Sequence, residues 1–163
     1  MSTWIRHALS ILLLPFLVVV VVPCWLRRTF SPSGTPLTTL GWLPRLAGVV
    51  LFTAGLLLFG WCVLLFARIG RGTLAPWDPT RYLVAAGPYR LVRNPMISGV
   101  ALMLLGQAAF WASRPLTLWA GLFILVNHLY FILSEEPGLE RRFGDAYRAY
   151  KAAVPRWLPR LRL

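Results

Sequence analysis

Long apolar runs separated by short polar stretches rich in arginine set the pattern of this chain. The first run, LSILLLPFLVVVVVPCWL, extends from Leu9 to Leu26 and stops at Arg27 and Arg28. The second covers about Leu46 to Ala67, the third about Met96 to Ala112, and the fourth about Leu116 to Leu133. Crossing a bilayer as a helix takes roughly 17 to 25 predominantly apolar residues, so the pattern predicts an all-α, polytopic integral membrane protein with about four transmembrane helices. No small-x-small cleavage pattern follows the first run, which therefore reads as a retained helix, with Pro15 and Pro23 tolerated by local rearrangement. Arg114 and Pro115 fall between the last two runs and predict a tight helical hairpin. In the second run Gly48, Gly55 and Gly60 are candidates for close helix approach, although each suits a lipid-facing position as well.

Composition supports this reading. Of 163 residues, 58% are hydrophobic and only 13% charged, with a mean hydropathy of +0.65, which is too apolar for an ordinary soluble domain. Nothing marks a second domain or an internal repeat, so residues 1–163 read as one membrane domain. The formal net charge is +12, and its placement gives an orientation. With four spans, Arg6, the arginines of the loop between Arg68 and Pro95, and the basic tail share one side, against Arg27, Arg28, Arg45 and Arg114 on the other. The excess of positive charge on cytoplasmic loops then puts both termini and the central loop in the cytoplasm. Bases that flank apolar spans suit anionic membrane lipids and argue against nucleic acid as a partner. Cys24 and Cys62 lie at unrelated positions within expected helices and read as packing residues.

The polar chemistry gathers on that same side. All five acidic residues, Asp78, Glu135, Glu136, Glu140 and Asp145, belong to it. The connection TFSPSGTPLTTLGWLP reads as an ordinary turn-rich link, whereas the loop RIGRGTLAPWDPTRYLVAAGPYRLVRNP is long enough to fold over helix ends. At its close, Asn94 is placed to cap the third helix and Pro95 to open it. Such a helix start also suits an anion, with Arg90 and Arg93 as candidate partners for a ligand or for lipid headgroups. In the fourth run, residues 127, 131 and 135 form one helical row and 128, 132 and 136 its neighbour, so Asn127 and His128 lead toward Glu135 and Glu136. Polar groups at such depth need partners and prefer to face other helices. His128 fits either a hydrogen bond in the core or a cavity. No compact His/Cys/Asp/Glu set offers a metal shell. The tail predicts an amphipathic helix with Leu139, Phe143, Tyr147, Tyr150 and Val154 on one face and Arg141, Asp145, Arg148 and Lys151 on the other, ended by Pro155. Trp157 and Leu158 then suit the headgroup boundary.

Two blocks, GPYRLVRNP and EEPGLERRFGDAYRAYKAAVPRWLPR, make the chain resemble the bacterial branch of the isoprenylcysteine carboxyl methyltransferase and phospholipid methyltransferase superfamily, most strongly over residues 87–160. The resemblance implies a multi-pass enzyme of the bacterial inner membrane that uses S-adenosylmethionine, held by the membrane-adjacent loop and the C-terminal region, and that takes a lipophilic or lipidated acceptor from between its helices. It places Gly87, Tyr89, Leu91, Arg93, Asn94, His128 and Glu135 at the cofactor, Asn127 and Glu136 at the substrate, and Arg93, Glu135 and Glu136 in catalysis, with no metal. Which of the two glutamates faces the cofactor stays open. Family members often carry Arg-His-Pro followed by an aromatic residue; this chain has Arg93, Asn94 and Pro95, then Met96 and Ile97. An asparagine can hydrogen-bond but cannot titrate as an imidazole does, which counts against general-base chemistry at that position.

The resemblance thus implies methyl transfer to a carboxylate of an isoprenylcysteine-like substrate. Phospholipid N-methylation is the alternative within the family. A noncatalytic membrane scaffold or transport-associated protein is the alternative outside it. The natural acceptor and the oligomeric state are not readable from the residues.

Overall fold

The structure is a computed structural model that describes residues 12–30, 41–70 and 83–159. The start of the first expected span at Leu9, the turn-rich link 31–40, the loop segment 71–82 with Asp78, and Arg160 lie outside them. Every regular element among the described residues is helical. A π-helical stretch, Leu12–Val21, contains Pro15 and runs into α1 (Val22–Phe30). Then come α2 (Leu43–Leu65), extended by a π turn at Phe66–Gly70, and α3 (Pro95–Trp111). α4 (Arg114–Tyr130) continues through a π turn at Phe131–Glu135 into α5 (Glu136–Phe143), and α6 (Asp145–Ala153) follows.

Two of these helices, not four, are long and apolar enough to cross a membrane. They are the continuous helices Leu43–Ile69, of 27 residues, and Arg114–Phe143, of 30. The third expected span, α3, has 17 residues; at about 1.5 Å per residue it covers about 25 Å, short of a hydrocarbon core about 30 Å thick. α3 is instead the inner helix of the bundle, with Pro95, Gly99, Val100, Ala101, Met103, Leu104, Gly106 and Ala108 all buried. The outer helices show apolar exteriors. Leu56, Leu57, Trp61 and Leu64 on α2 and Leu118, Leu122, Leu125 and Leu129 on α4 are all exposed. A water-soluble helix keeps its polar face outward. Apolar side chains there fit a lipid surround.

Glycines set the seam between α2 and α3. A Cβ on Gly48 would stand 2.7 Å from Gly106 O, and one on Gly55 would stand 2.5 Å from Gly99 O. Because the helices run antiparallel, the seven-residue step from Gly48 to Gly55 is answered by the seven-residue step from Gly106 back to Gly99. Each pair brings backbone against backbone, the close approach by which membrane helices gain dispersion contacts. Gly60 has open space around its α-carbon and takes no part. Around this seam Val19, Phe59, Val100, Met103, Leu104 and Ala120 form the core. Trp119 Nε1 and Gln107 Nε2 donate to Val18 O and Val19 O, at 3.1 and 2.9 Å, tying in the N-terminal stretch.

Three local expectations change. The hairpin between α3 and α4 turns at Ala112, which adopts a left-handed conformation (φ 45°), and at Ser113; Arg114 and Pro115 already belong to α4, where a proline in the first turn removes no helical hydrogen bond. Asn94 stands at the N-cap position but its side chain makes no cap bond. Its carbonyl instead accepts from Ser98, through both N–H and Oγ at 3.0 Å. The single amphipathic tail helix is broken in two at Gly144, whose backbone (φ 54°, ψ −128°) no L side chain adopts without strain.

Candidate functional site

The loop before α3 folds back as a 3-10 turn, Gly87–Arg90, opened by Gly87 at φ 55°. A side chain at Gly87 would press on Leu65 and Trp61 of α2, so glycine serves both the dihedral and the packing. The turn buries Tyr89 beside Cys62 and Val84, with Phe66 packed against its ring at a centroid distance of 5.6 Å. Burial, with Cys62 adding to it, pushes the Tyr89 phenol up. Leu91 is exposed, and its N–H is already taken by Pro88 O at 3.0 Å.

The turn delivers Arg93 to the foot of α3, and there it meets Glu136. Arg93 Nη1 lies 2.9 Å from Glu136 Oε1, with the two side chains only 11% and 6% exposed. The same oxygen accepts from Arg156 Nε at 2.7 Å, while Lys151 Nζ lies 3.4 Å from Oε2 and 3.6 Å from Glu140 Oε2. The hydrogen bond to Glu136 raises the Arg156 pKa, and partial burial opposes it. Three cations from three parts of the chain thus converge on one carboxylate. Arg93 Nη1 is taken up by that ion pair, while its Nε, also buried, makes no hydrogen bond among the described residues. A buried donor without an acceptor is rare and costly, so Nε is open to a further partner.

The tail is laced over this cluster. Tyr150 Oη donates to Tyr89 O at 2.7 Å, and Arg93 N–H donates to Pro155 O at 2.9 Å. Trp157 Nε1 donates to His128 Nδ1 at 3.0 Å and its ring packs on Phe131. Tyr147 is fully buried beneath. Burial and then the Glu136 charge push its phenol up, with Arg93 opposing, and burial together with Tyr147 pushes the Tyr150 phenol up.

The π turn decides which glutamate does this. Glu136 N–H bonds Phe131 O, five residues back, which inserts an extra residue into the turn. Phe131 and Glu136 are therefore the inward pair, 2% and 5% exposed, while Ile132 faces out. The rows expected at a spacing of four, 127/131/135 and 128/132/136, break at this point. Glu135 is half-buried beside the cluster and makes no ion pair among the described residues. Asn127 does not join it either; its Nδ2 donates to Phe123 O of its own helix at 2.8 Å.

Of the residues singled out in the sequence, the fold brings Arg93, Glu136 and, through Trp157, His128 together, with Gly87 and Tyr89 shaping the turn and Asn94 half-buried next to Arg93. Lys151, Tyr147 and Tyr150 were read as parts of an amphipathic helix, and Trp157 with the bases beyond Pro155 as a headgroup anchor; these residues and Arg156 all take part in this arrangement. The tyrosines had a visible signal in the inward phase of Tyr147, Tyr150 and Val154. Arg156 had none.

The phospholipid methyltransferase family matches residues 43–146. Methanethiol S-methyltransferase 2 of Bradyrhizobium diazoefficiens is 37% identical over 76 residues, which are 45% of this chain and 27% of that protein. Methanethiol S-methyltransferase of Pseudomonas deceptionensis is 35% identical over 77 residues, again 45% of this chain and 27% of the relative. The chain thus spans about a quarter of the length of these two enzymes. An uncharacterised protein of Haemophilus influenzae is 44% identical over 59 residues, 35% of this chain and 92% of that protein. No solved structure matches the chain.

Proposed function

The chain belongs to the phospholipid methyltransferase family, and from that premise we propose that it is a membrane enzyme transferring a methyl group from S-adenosylmethionine to a lipophilic acceptor. The observation that carries the reading is the buried Arg93 guanidinium at the foot of α3, paired with Glu136 through Nη1 and with its Nε open to an acceptor. Donors of this kind suit the carboxylate of an amino-acid moiety, and the half-buried Glu135, free of ion pairs, suits its ammonium. Glu136, already held by Arg93, Arg156 and Lys151, positions the arginine. Asn94 completes the set with a neutral amide. When bound, the cofactor supplies an activated methyl on a sulfonium; the chain's part is to align the acceptor and keep water out.

The acceptor that this site favours brings its own negative charge. Asn94 offers no titrating group, and His128 Nδ1 is engaged by Trp157. A lipid-borne carboxylate, as in an isoprenylcysteine-type substrate, needs no proton removed, whereas an ammonium headgroup does. A thiol, which must first give up its proton, to the ion-pair-free Glu135 in this site, is the second reading, favoured by the names of the two methanethiol relatives. The membrane delivers the apolar tail of the acceptor between the helices, and both termini and the Arg93–Glu136 cluster face the cytoplasm.

The test uses the full chain in lipid nanodiscs with methyl-labelled S-adenosylmethionine. Saturable binding that falls in Arg93→Gln and Glu135→Gln is expected, and absence of binding by the folded parent overturns the reading. Label transferred from membrane extracts then identifies the product. A methyl ester releases its label as methanol in base, while a thioether or an N-methyl group does not.

A further inference from the structure

At the end of the bundle opposite the Arg93–Glu136 cluster, an open groove of about 210 Å³ runs over the glycine contact of α2 and α3. It is lined by Gly48, Val49, Phe52 and Thr53 on one side and by Gly106, Gln107, Phe110 and Trp111 on the other. Gly48 and Gly106, which let the backbones touch, also leave the groove its depth, because neither projects a side chain into it. Gly48 lies 14 residues before Cys62, which packs beside Tyr89. At about 1.5 Å per residue the groove is about 21 Å from the cluster along α2, too far to present an acceptor there.

The mouth is cationic. Arg27 of α1 lies with Cζ 3.4 Å from the centroid of the Trp111 ring, which forms part of the lining. Arg45 precedes Gly48 by three residues and Val49 by four, so it stands one turn above them on the same face of α2. Neither guanidinium makes an ion pair among the described residues, and every carboxylate of the chain lies at position 78 or beyond 134. The counter-charge at this end must come from outside the helices that hold it. An apolar slot with two unneutralised arginines from different helices at its mouth has the chemistry of an anionic amphiphile.

We propose that this groove binds one anionic phospholipid, with an acyl chain lying along it over the Gly48–Gly106 contact and the phosphodiester at Arg27 and Arg45. The lipid bridges α1 to the α2–α3 pair on the far side of the membrane from the transfer site, and the proposal stands or falls independently of the methyl transfer reaction.

The full chain, purified in a mild detergent, is mixed with dioleoyl phosphatidylglycerol or dioleoyl phosphatidylcholine, and bound lipids are counted by native mass spectrometry alongside thermal unfolding. One tightly retained phosphatidylglycerol is expected, preferred over phosphatidylcholine about 10- to 30-fold from two arginines near the surface. The double variant Arg27→Gln/Arg45→Gln loses that preference, and Arg45→Lys, which retains the charge, keeps it should the double variant fail to fold. Val49→Trp, which fills the slot, loses retention of both lipids. Equal retention of the two lipids by the parent overturns the proposal, as does an unchanged preference in the double variant. Dimerisation without retained lipid would assign the groove to a second copy of the chain and likewise overturn it.

Discussion

Replacing Gly55 by alanine tests the glycine seam on which the bundle is built. The added methyl carbon would stand 2.5 Å from Gly99 O and 2.8 Å from Met103 N, against about 3.3–3.6 Å for an ordinary carbon–oxygen contact. Both neighbours are backbone atoms of α3, so no side-chain rotation relieves the overlap. The helices must separate locally by about 0.8–1 Å, and a gap of that size forfeits a quarter to a half of each dispersion contact it opens. In lipid no hydrophobic drive compensates for the lost packing. Overpacking of this kind costs about 1–3 kcal/mol. Alanine also gains about 0.8–1 kcal/mol over glycine in helix propensity, which Gly60→Ala isolates because nothing lies within 4 Å of its added carbon. Gly60→Ala is therefore expected to leave stability unchanged or raise it by up to about 1 kcal/mol, with Gly55→Ala about 1–3 kcal/mol below it. Reversible unfolding in mixed micelles, followed by helical circular dichroism, measures the gap. If Gly55→Ala proves as stable as Gly60→Ala, the seam does not hold the helices together and the account of α3 as the inner helix is wrong.

Glu136→Gln removes the carboxylate from a buried arginine and is expected to cost about 3–5 kcal/mol, while Arg156→Ala, whose partner keeps Arg93 and Lys151, costs less; unfolding of both in the same micelles checks the order. Trp157→Phe retains an aromatic ring over Phe131 but loses the N–H donated to His128, an expected loss of about 0.5–1.5 kcal/mol. The phenols of Tyr89, Tyr147 and Tyr150 are all pushed up in the folded chain. As pH rises through the ordinary tyrosine range, about 10, the unfolded chain releases those protons first, so stability is full below that range and falls above it by up to about 1.4 kcal/mol per pH unit per tyrosine. Tyr150→Phe should make the alkaline limb of a stability profile measurably shallower, and an unchanged slope would count against burial of that phenol.

Much of this was readable from residues whose neighbours in sequence are also their neighbours in space. The apolar runs located α2, α3 and α4 to within a few residues, and Gly48, Gly55 and Gly60 stood as equal candidates for close approach, of which only the answering Gly99 and Gly106 single out the first two. That Arg93 would meet the end of the fourth run rested on the paired motifs, and the fold places them 2.9 Å apart. What escaped depends on backbone events without a local sign. The π turn at Phe131–Glu135 shifts the helical phase by one residue and makes Glu136 the buried glutamate, and no single residue type announces such a turn. Arg156, beyond Pro155 in an irregular segment, has no periodicity to betray that it points inward. The short α3 looked like a span because hydropathy does not distinguish a helix sheathed by protein from one sheathed by lipid.

The charge balance of the cluster carries the argument about acceptors one step further. Arg93, Arg156 and Lys151 bring three positive charges to Glu136, and only Lys151 is shared with a second acid, Glu140. Lys151 and Arg156 are 39% and 23% exposed, so water screens part of that charge, and Glu135 beside the cluster adds a further carboxylate; what leans toward an anion is the buried Arg93 guanidinium itself. The reaction itself has the same preference. An anionic acceptor that takes a methyl from a sulfonium ends neutral, and the charges that had to be brought out of water disappear as the bond forms. A neutral amine that takes the same methyl ends as a cation among three others. On the proposed reading, Arg93 therefore favours a carboxylate acceptor, while N-methylation, which the family also includes, would draw on Glu135 to offset the charge of the amine product.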